Sequence, residues 1–292
     1  MLIVPSSASA QPVDVIATPA DEFQPVASID HIAWVVETEG GRDLYATPFG
    51  GGPFRVSSRR WDAATGGISG STLVYQRYRI APSVDSDLRF FDLESRTHTA
   101  APTGLNTFHW EYGPSLSGDR LLYGRLDLFS GDRQIVLYDL STGESIILAE
   151  TTRRSQVLVP GQVNGDFAVW NRFGYRGDVA VACYVYVHDM TTGVSRRISA
   201  QDDRCEYAPS VDAAGRVFYA LSRFGCGDRV SLVMYDSRVP EQILVDRLGD
   251  GIDLGSTYAV DNGDGTSSVY FDPGRCNRRG SIPDQDVRRV SV

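Results

Sequence analysis

The chain has 292 residues, enough for one large core or two ordinary ones. Its 28 basic residues are all arginine, and against 37 acids they leave a net charge of -9. The missing lysines exclude a lysine nucleophile, a Schiff base and a phosphate-binding-loop lysine, and the negative balance argues against a nucleic-acid partner. No apolar run approaches the roughly 18 residues of a membrane span.

At the N-terminus, Ala8-Ser9-Ala10 has the small-x-small form of a signal-peptidase site, but the apolar stretch before it is short and carries no positive charge. Residues 1–10 are therefore expected to be an export-signal remnant or a disordered tail. A β-like run, Val13 to Thr18, follows.

A repeat of near 48 residues then covers most of the chain. Gly70, Gly118, Gly165 and Gly215 each open a short β-rich run that ends in arginine, at Arg77, Arg125, Arg172 and Arg223. About 20 to 23 residues after each glycine comes an aspartate anchor: Asp92, Asp139, Asp189 and Asp236. Two anchors continue into Ser141-Thr142-Gly143 and Thr191-Thr192-Gly193, which is good hairpin-turn chemistry. Each unit reads as four short strands, A to D. Weaker units flank the clear four, with Ile32 to Val36 and Ser267 to Phe271 as their B strands. The fold class predicted is all-β: a six-bladed β-propeller of four-stranded antiparallel blades over residues 11–292. Continuous apolar C strands, such as Tyr184 to Val187 and Leu232 to Met234, suggest sheets buried on both faces. The last unit stops at strand C, so the Val13 run is expected to supply its strand D and close the ring.

Pro114-Ser115-Leu116-Ser117-Gly118-Asp119, Pro209-Ser210-Val211-Asp212 and Tyr138-Asp139-Leu140-Ser141-Thr142-Gly143 resemble the repeats of TolB-like propellers, the PD40 family. The resemblance spans roughly residues 24 to 292 and implies the propeller fold. TolB's N-terminal α/β domain has no room here, so its lipoprotein partner is not implied. The resemblance extends to propellers that accompany prolyl-peptidase hydrolase domains, and no such domain is expected within these residues.

Catalytic motifs are scarce. Gly66-Gly67-Ile68-Ser69-Gly70 misplaces the serine of a nucleophile elbow, and no histidine pair has metal spacing. His188 occupies the Tyr138 position of its repeat and is expected to pack. Val260 to Gly265 lacks the first ligand of a calcium loop and reads as an A–B turn. No cofactor is expected. Asp62, Glu111, Glu206 and Asp253 fall near the starts of A strands, which converge on one mouth of the channel. Two of them would form the candidate pair for glycosidic chemistry or carbohydrate binding.

The face holding the B–C and D–A loops collects Arg77, Arg125, Arg172 and Arg223 with Trp61, Trp110, Tyr112, Phe173, Tyr175, Tyr207 and Phe224. Arginine beside aromatics is typical of binding hot spots, although recurrence once per unit also suits a repeated ion pair or carbonyl cap. Four cysteines and an export-like N-terminus favour two disulfides in a secreted, periplasmic or cell-envelope protein. The strand map pairs Cys183 with Cys205 and Cys226 with Cys276; the alternative joins Cys205 to Cys226. The expected function is non-enzymatic binding of a protein or an anionic ligand. The alternative is a carbohydrate-active or carbohydrate-binding propeller that uses the four acids.

Overall fold

In the computed structural model, turn chemistry sets the register of every blade. The structure describes residues 12–17, 20–58, 60–79, 85–177, 179–198, 204–223, 230–246, 248, 252–275 and 286–292. The strand β1 (Val13–Ile16) comes first. Blade 1 holds β2 (Glu22–Ala27), β3 (His31–Thr38), β4 (Gly41–Pro48) and β5 (Phe54–Arg55). Blade 2 holds β6 (Asp62–Ser69), β7 (Thr72–Arg79), β8 (Asp85–Asp92) and β9 (Thr97–Thr99). Blade 3 holds β10 (Trp110–Ser117), β11 (Arg120–Leu126), β12 (Arg133–Asp139) and β13 (Ser145–Thr151). Blade 4 holds β14 (Gln156–Asn164), β15 (Phe167–Arg176), β16 (Val179–Asp189) and β17 (Val194–Arg197). Blade 5 holds β18 (Arg204–Val211), β19 (Val217–Arg223), β20 (Ser231–Asp236) and β21 (Val239–Val245). Blade 6 holds β22 (Ile252–Asp261), β23 (Ser267–Arg275) and β24 (Val287–Ser291), and β1 completes it as the fourth strand.

Antiparallel pairing of Val13 with Arg289 and Asp14 with Arg288 closes the ring, as the sequence predicted, and Asp14 also takes Arg288 as an ion pair at 2.9 Å. Asp139 shows why the anchor sequence works. Its Oδ1 accepts the Ser141 N–H at 2.8 Å, the Ser141 hydroxyl at 2.6 Å and the Thr142 N–H at 3.0 Å. Gly143 then takes φ +77°, which a side chain would resist. Asp189 repeats the arrangement with Thr191, and these bonds hold both carboxyls below their usual pKa.

Strand C is buried on both sides. Successive residues Ile135 and Val136, and Leu232 and Val233, are all at most 1% exposed. Each such aliphatic contributes roughly 1.5–3 kcal/mol through burial against the neighbouring blades. Hydrophobic packing between blades, rather than within one sheet, holds the ring together.

The inner strands carry a feature that the sequence expectation missed. Strand A has a one-residue bulge in all six blades, for example between Phe23 and Val26 and between Tyr112 and Ser115. Alternate blades share Glu, an aromatic, a variable residue and proline: Glu22 to Pro25, Glu111 to Pro114 and Glu206 to Pro209. The variable residue is left-handed each time, with Gln24 at φ +53°, Gly113 at +54° and Ala208 at +51°. In blades 3 and 5 the aromatic hydroxyl reaches into the next blade: Tyr112 donates to the Leu158 carbonyl at 2.6 Å, and Tyr207 bonds to Asp253. A small residue lies across the strand pair from each of these two rings, Gly124 opposite Tyr112 and Ala220 opposite Tyr207.

Cys183 of β16 and Cys205 of β18 form the predicted disulfide, with Cα atoms 4.9 Å apart. The expectation set Cys205 in the D–A loop of the same blade region. It lies instead on strand A of blade 5, so the bridge staples blade 4 to blade 5. Cys226, Cys276 and Phe224 lie outside the described residues, as do residues 1–11.

Candidate interaction face and channel mouth

The central channel opens on both faces. A cavity of about 390 Å³ on the B–C/D–A side is lined by bulge residues from all six blades, including Gln24, Gly66, Pro114, Pro160, Pro209 and Ser256. A second, of about 330 Å³, opens among the A–B turns and includes Ser69, Ser117 and Asp261. Gln162 and Tyr258 line both. The Gln162 amide reaches from blade 4 to blade 6, donating to the Ala259 carbonyl at 2.7 Å and accepting the Ala259 N–H at 2.9 Å. The Tyr258 hydroxyl accepts the Ile68 N–H at 3.3 Å, from blade 2. These two side chains cross the channel and form the floor between its openings.

None of the four candidate acids lines the larger cavity. Asp62 accepts the Arg42 N–H at 2.9 Å. Glu111 is fully buried, and its Oε1 accepts the Thr107 hydroxyl at 2.5 Å while its Oε2 has no hydrogen-bond partner. Burial pushes its pKa up. Glu206 is 1% exposed, and Asp253 takes the Tyr207 hydroxyl. Carboxylates so placed do not face one another across an open pocket, and the geometry does not favour glycosidic chemistry. The residues that meet at the mouth are those of the bulges, a few positions beyond these acids along strand A.

The recurrent arginines do different work in each blade. Arg77 pairs with Asp87 at 2.5 Å and lies 4.2 Å over the Trp61 ring. Arg79 covers the same ring at 4.1 Å. Arg125 stands 3.7 Å from Glu111 and donates to the Tyr123 hydroxyl at 2.7 Å. Arg172 caps the Glu150 carbonyl at 3.0 Å. Arg223 ends β19, and its side chain is outside the described residues. Trp110 packs against Tyr78 at 6.0 Å, and Phe173 against Tyr175 at 6.5 Å. Phe173 and Tyr207 line the larger cavity. Tyr112 is turned into the blade 3–blade 4 boundary instead, and its hydroxyl pKa is raised by that burial.

Sequence reading passed over two strongly exposed phenylalanines. Phe108 is 77% exposed in the D–A loop before blade 3, and Phe129 is 87% exposed in the B–C loop of blade 3. Their exposure follows from short polar loops that place apolar tips beyond the sheet; apolar residues in Thr107-Phe108-His109 and Leu128-Phe129-Ser130 were the available signal. His188 is buried and meets Ser195 across strands at 3.0 Å, with its pKa lowered by burial. No cluster of three or more His, Cys, Asp or Glu side chains could hold a metal ion among the described residues.

Behind the cavity wall, Asp272 of β23 joins blade 6 to blade 1. Its carboxylate accepts the Gln24 N–H at 2.8 Å and the Ser256 hydroxyl at 3.0 Å. Burial raises its pKa to about 7 in spite of these donors. The folded chain therefore holds this proton more tightly than the unfolded chain. That stabilisation is complete below about pH 4 and is lost as pH rises through about 7, a change on the order of 4 kcal/mol. Melting temperature is expected to fall on this account between about pH 4 and pH 7, and Asp272→Asn should flatten that slope. An unchanged slope in the variant would assign the pH dependence to other groups.

Six four-stranded blades around a plugged channel define a β-propeller. Its fold is TolB-like. TolB from Acinetobacter baumannii superposes with a TM-score of 0.55 at 16% identity over 90% of this chain, which spans 64% of TolB's length. The β-propeller domain of the trilobed protease from Pyrococcus furiosus gives 0.54 at 13% identity, covering 93% of this chain and 95% of that one. An oligogalacturonate lyase in complex with manganese gives 0.56 at 12% identity, covering 98% and 94%. At these identities the likeness is one of fold. No protein-family model matches the sequence, and no curated protein does. No helix among the described residues is long and apolar enough to cross a membrane.

Proposed function

We propose that this propeller is a non-enzymatic binding module that engages a protein or anionic ligand through its B–C/D–A face, in an oxidising compartment such as the periplasm, the cell envelope or the exterior. One contrast carries the reading. Of the acids that could do chemistry at the channel mouth, Glu111 and Glu206 are buried and Asp62 and Asp253 are held by hydrogen bonds, while Arg153, Arg154, Arg176 and the aromatic tips Phe108 and Phe129 stand in solvent on the same face. The buried Cys183–Cys205 bridge supports the compartment, because such bonds are rare where thiols are kept reduced.

A photo-reactive phenylalanine analogue placed at Phe129, or at Thr142 on the opposite face, tests it in the native envelope. Adducts to a discrete partner are expected from position 129 and not from position 142. Adducts from 142 alone, or none from 129, would remove the face from consideration.

A further inference from the structure

We propose that the rim of blades 3 and 4 on this face docks an acidic protein segment that carries an apolar anchor. The inference rests on the reading above and specifies the chemistry of the partner.

Five arginines gather on this rim: Arg133 at the start of β12, Arg153 and Arg154 in the loop before β14, and Arg172 and Arg176 toward the end of β15. None makes an ion pair with a carboxylate among the described residues. Their hydrogen bonds go to main-chain oxygens. Arg133 donates to the Gly131 and Gln156 carbonyls at 3.5 and 3.3 Å, and Arg172 to that of Glu150. Such bonds use N–H groups but leave the charge unneutralised. Arg154 runs along the same loop, with Cγ and Nε 3.7 Å from the position a Cβ on Gly131 would take.

Among the described residues, fewer acids than arginines stand nearby. Asp127 is held within its own surface loop, its Oδ1 accepting the Phe129 and Ser130 N–H groups at 2.8 and 3.2 Å, with His109 nearby. Asp132, next to Arg133, and Glu150, whose carbonyl Arg172 caps, are further acids here among the described residues. A cationic rim on a chain of net charge -9 is selective for an anionic partner.

The apolar half of the site is contiguous with the arginines. Phe129 and Leu128, 87% and 47% exposed, lie in the loop that Arg154 covers. Phe108 stacks on His109 at 4.0 Å, and His109 faces Asp127 of that loop. Guanidinium groups take carboxylates bidentately, and three apolar tips require an apolar surface to bury them. A protein segment with both satisfies the rim. An acidic polysaccharide would neutralise the arginines, but its hydroxylated rings would bury less apolar surface against Phe108, Leu128 and Phe129 than apolar side chains do.

The test is fluorescence anisotropy on the full chain with a fluorescein-labelled peptide in which Glu alternates with Phe. A Lys-for-Glu version and unlabelled polygalacturonate serve as comparisons. The acidic peptide should bind, more weakly at high salt, and R153E/R154E and Phe129→Ser should each weaken it by about tenfold or more. Unchanged melting temperatures would show that the variants keep the fold. Equal binding of the Lys peptide, unaltered binding by R153E/R154E, or binding of polygalacturonate that is indifferent to Phe129→Ser would overturn the proposal. If the acidic peptide fails while position 129 still cross-links a partner, the acidic chemistry is wrong and the binding face stands. If both fail, the binding-module reading falls with it.

Discussion

Replacing Gly67 with alanine is expected to destabilise the ring by about 3 kcal/mol. A Cβ built there would lie 2.4 Å from the Leu116 nitrogen, 3.0 Å from the Ser115 Cα and 3.1 Å from its carbonyl carbon. All three are main-chain atoms of the next blade, so no rotamer change relieves the clash. The neighbouring Gly66 is similarly closed in, by the Val74 and Pro114 carbonyl oxygens at 2.5 and 2.8 Å. Blades 2 and 3 therefore meet backbone to backbone beside the channel. Gly70 is the control: its φ of +57° disfavours alanine, but nothing lies within 4 Å of the new Cβ. Gly70→Ala should cost about 1 kcal/mol. Urea midpoints measure both, and equal losses would mean that the interblade contact yields easily.

Removing the disulfide with C183A/C205A is expected to cost about 3 kcal/mol. The bridge spans 22 residues of sequence, and both sulfurs are buried, with Cys183 1% and Cys205 9% exposed. Because it crosses from β16 to β18, its loss frees one blade from the next and not merely a hairpin from its sheet. In thermal melts without reductant the double variant should unfold below the parent chain, and reductant should lower the parent chain by at least that difference. A parent chain indifferent to reductant would mean that packing between blades 4 and 5 already fixes the junction.

The architecture was legible because it is written in turns and periods. Gly118, the Asp139 anchor and the apolar C strands recur with the blade, and such signals survive without knowledge of any contact. The ring-closing strand could be read because an incomplete last unit needs a partner. The site was less legible. Glu111 and Tyr112 adjoin in sequence, yet the first is sealed beside Thr107 and the second reaches into blade 4. Strand alternation gives a side chain's face, whereas depth depends on the bulge that follows and on the next blade. Four arginines at equivalent positions suggested one repeated role. Their partners differ from blade to blade: a carboxylate for Arg77, a more distant carboxylate and a phenol for Arg125, and a carbonyl for Arg172. Position is periodic in a propeller, but the neighbour across the blade boundary is not.

The pairing of β1 with β24 also fixes an order of events in time. Of all the strands, β1 leaves the ribosome first and β24 last, and each needs the other to complete blade 6. Throughout synthesis β1 has no partner, and blades 1 to 5 can assemble around a gap. The final step joins strands separated by nearly the whole chain, the kind of long-range closure that is slow and leaves strand edges open to other chains meanwhile.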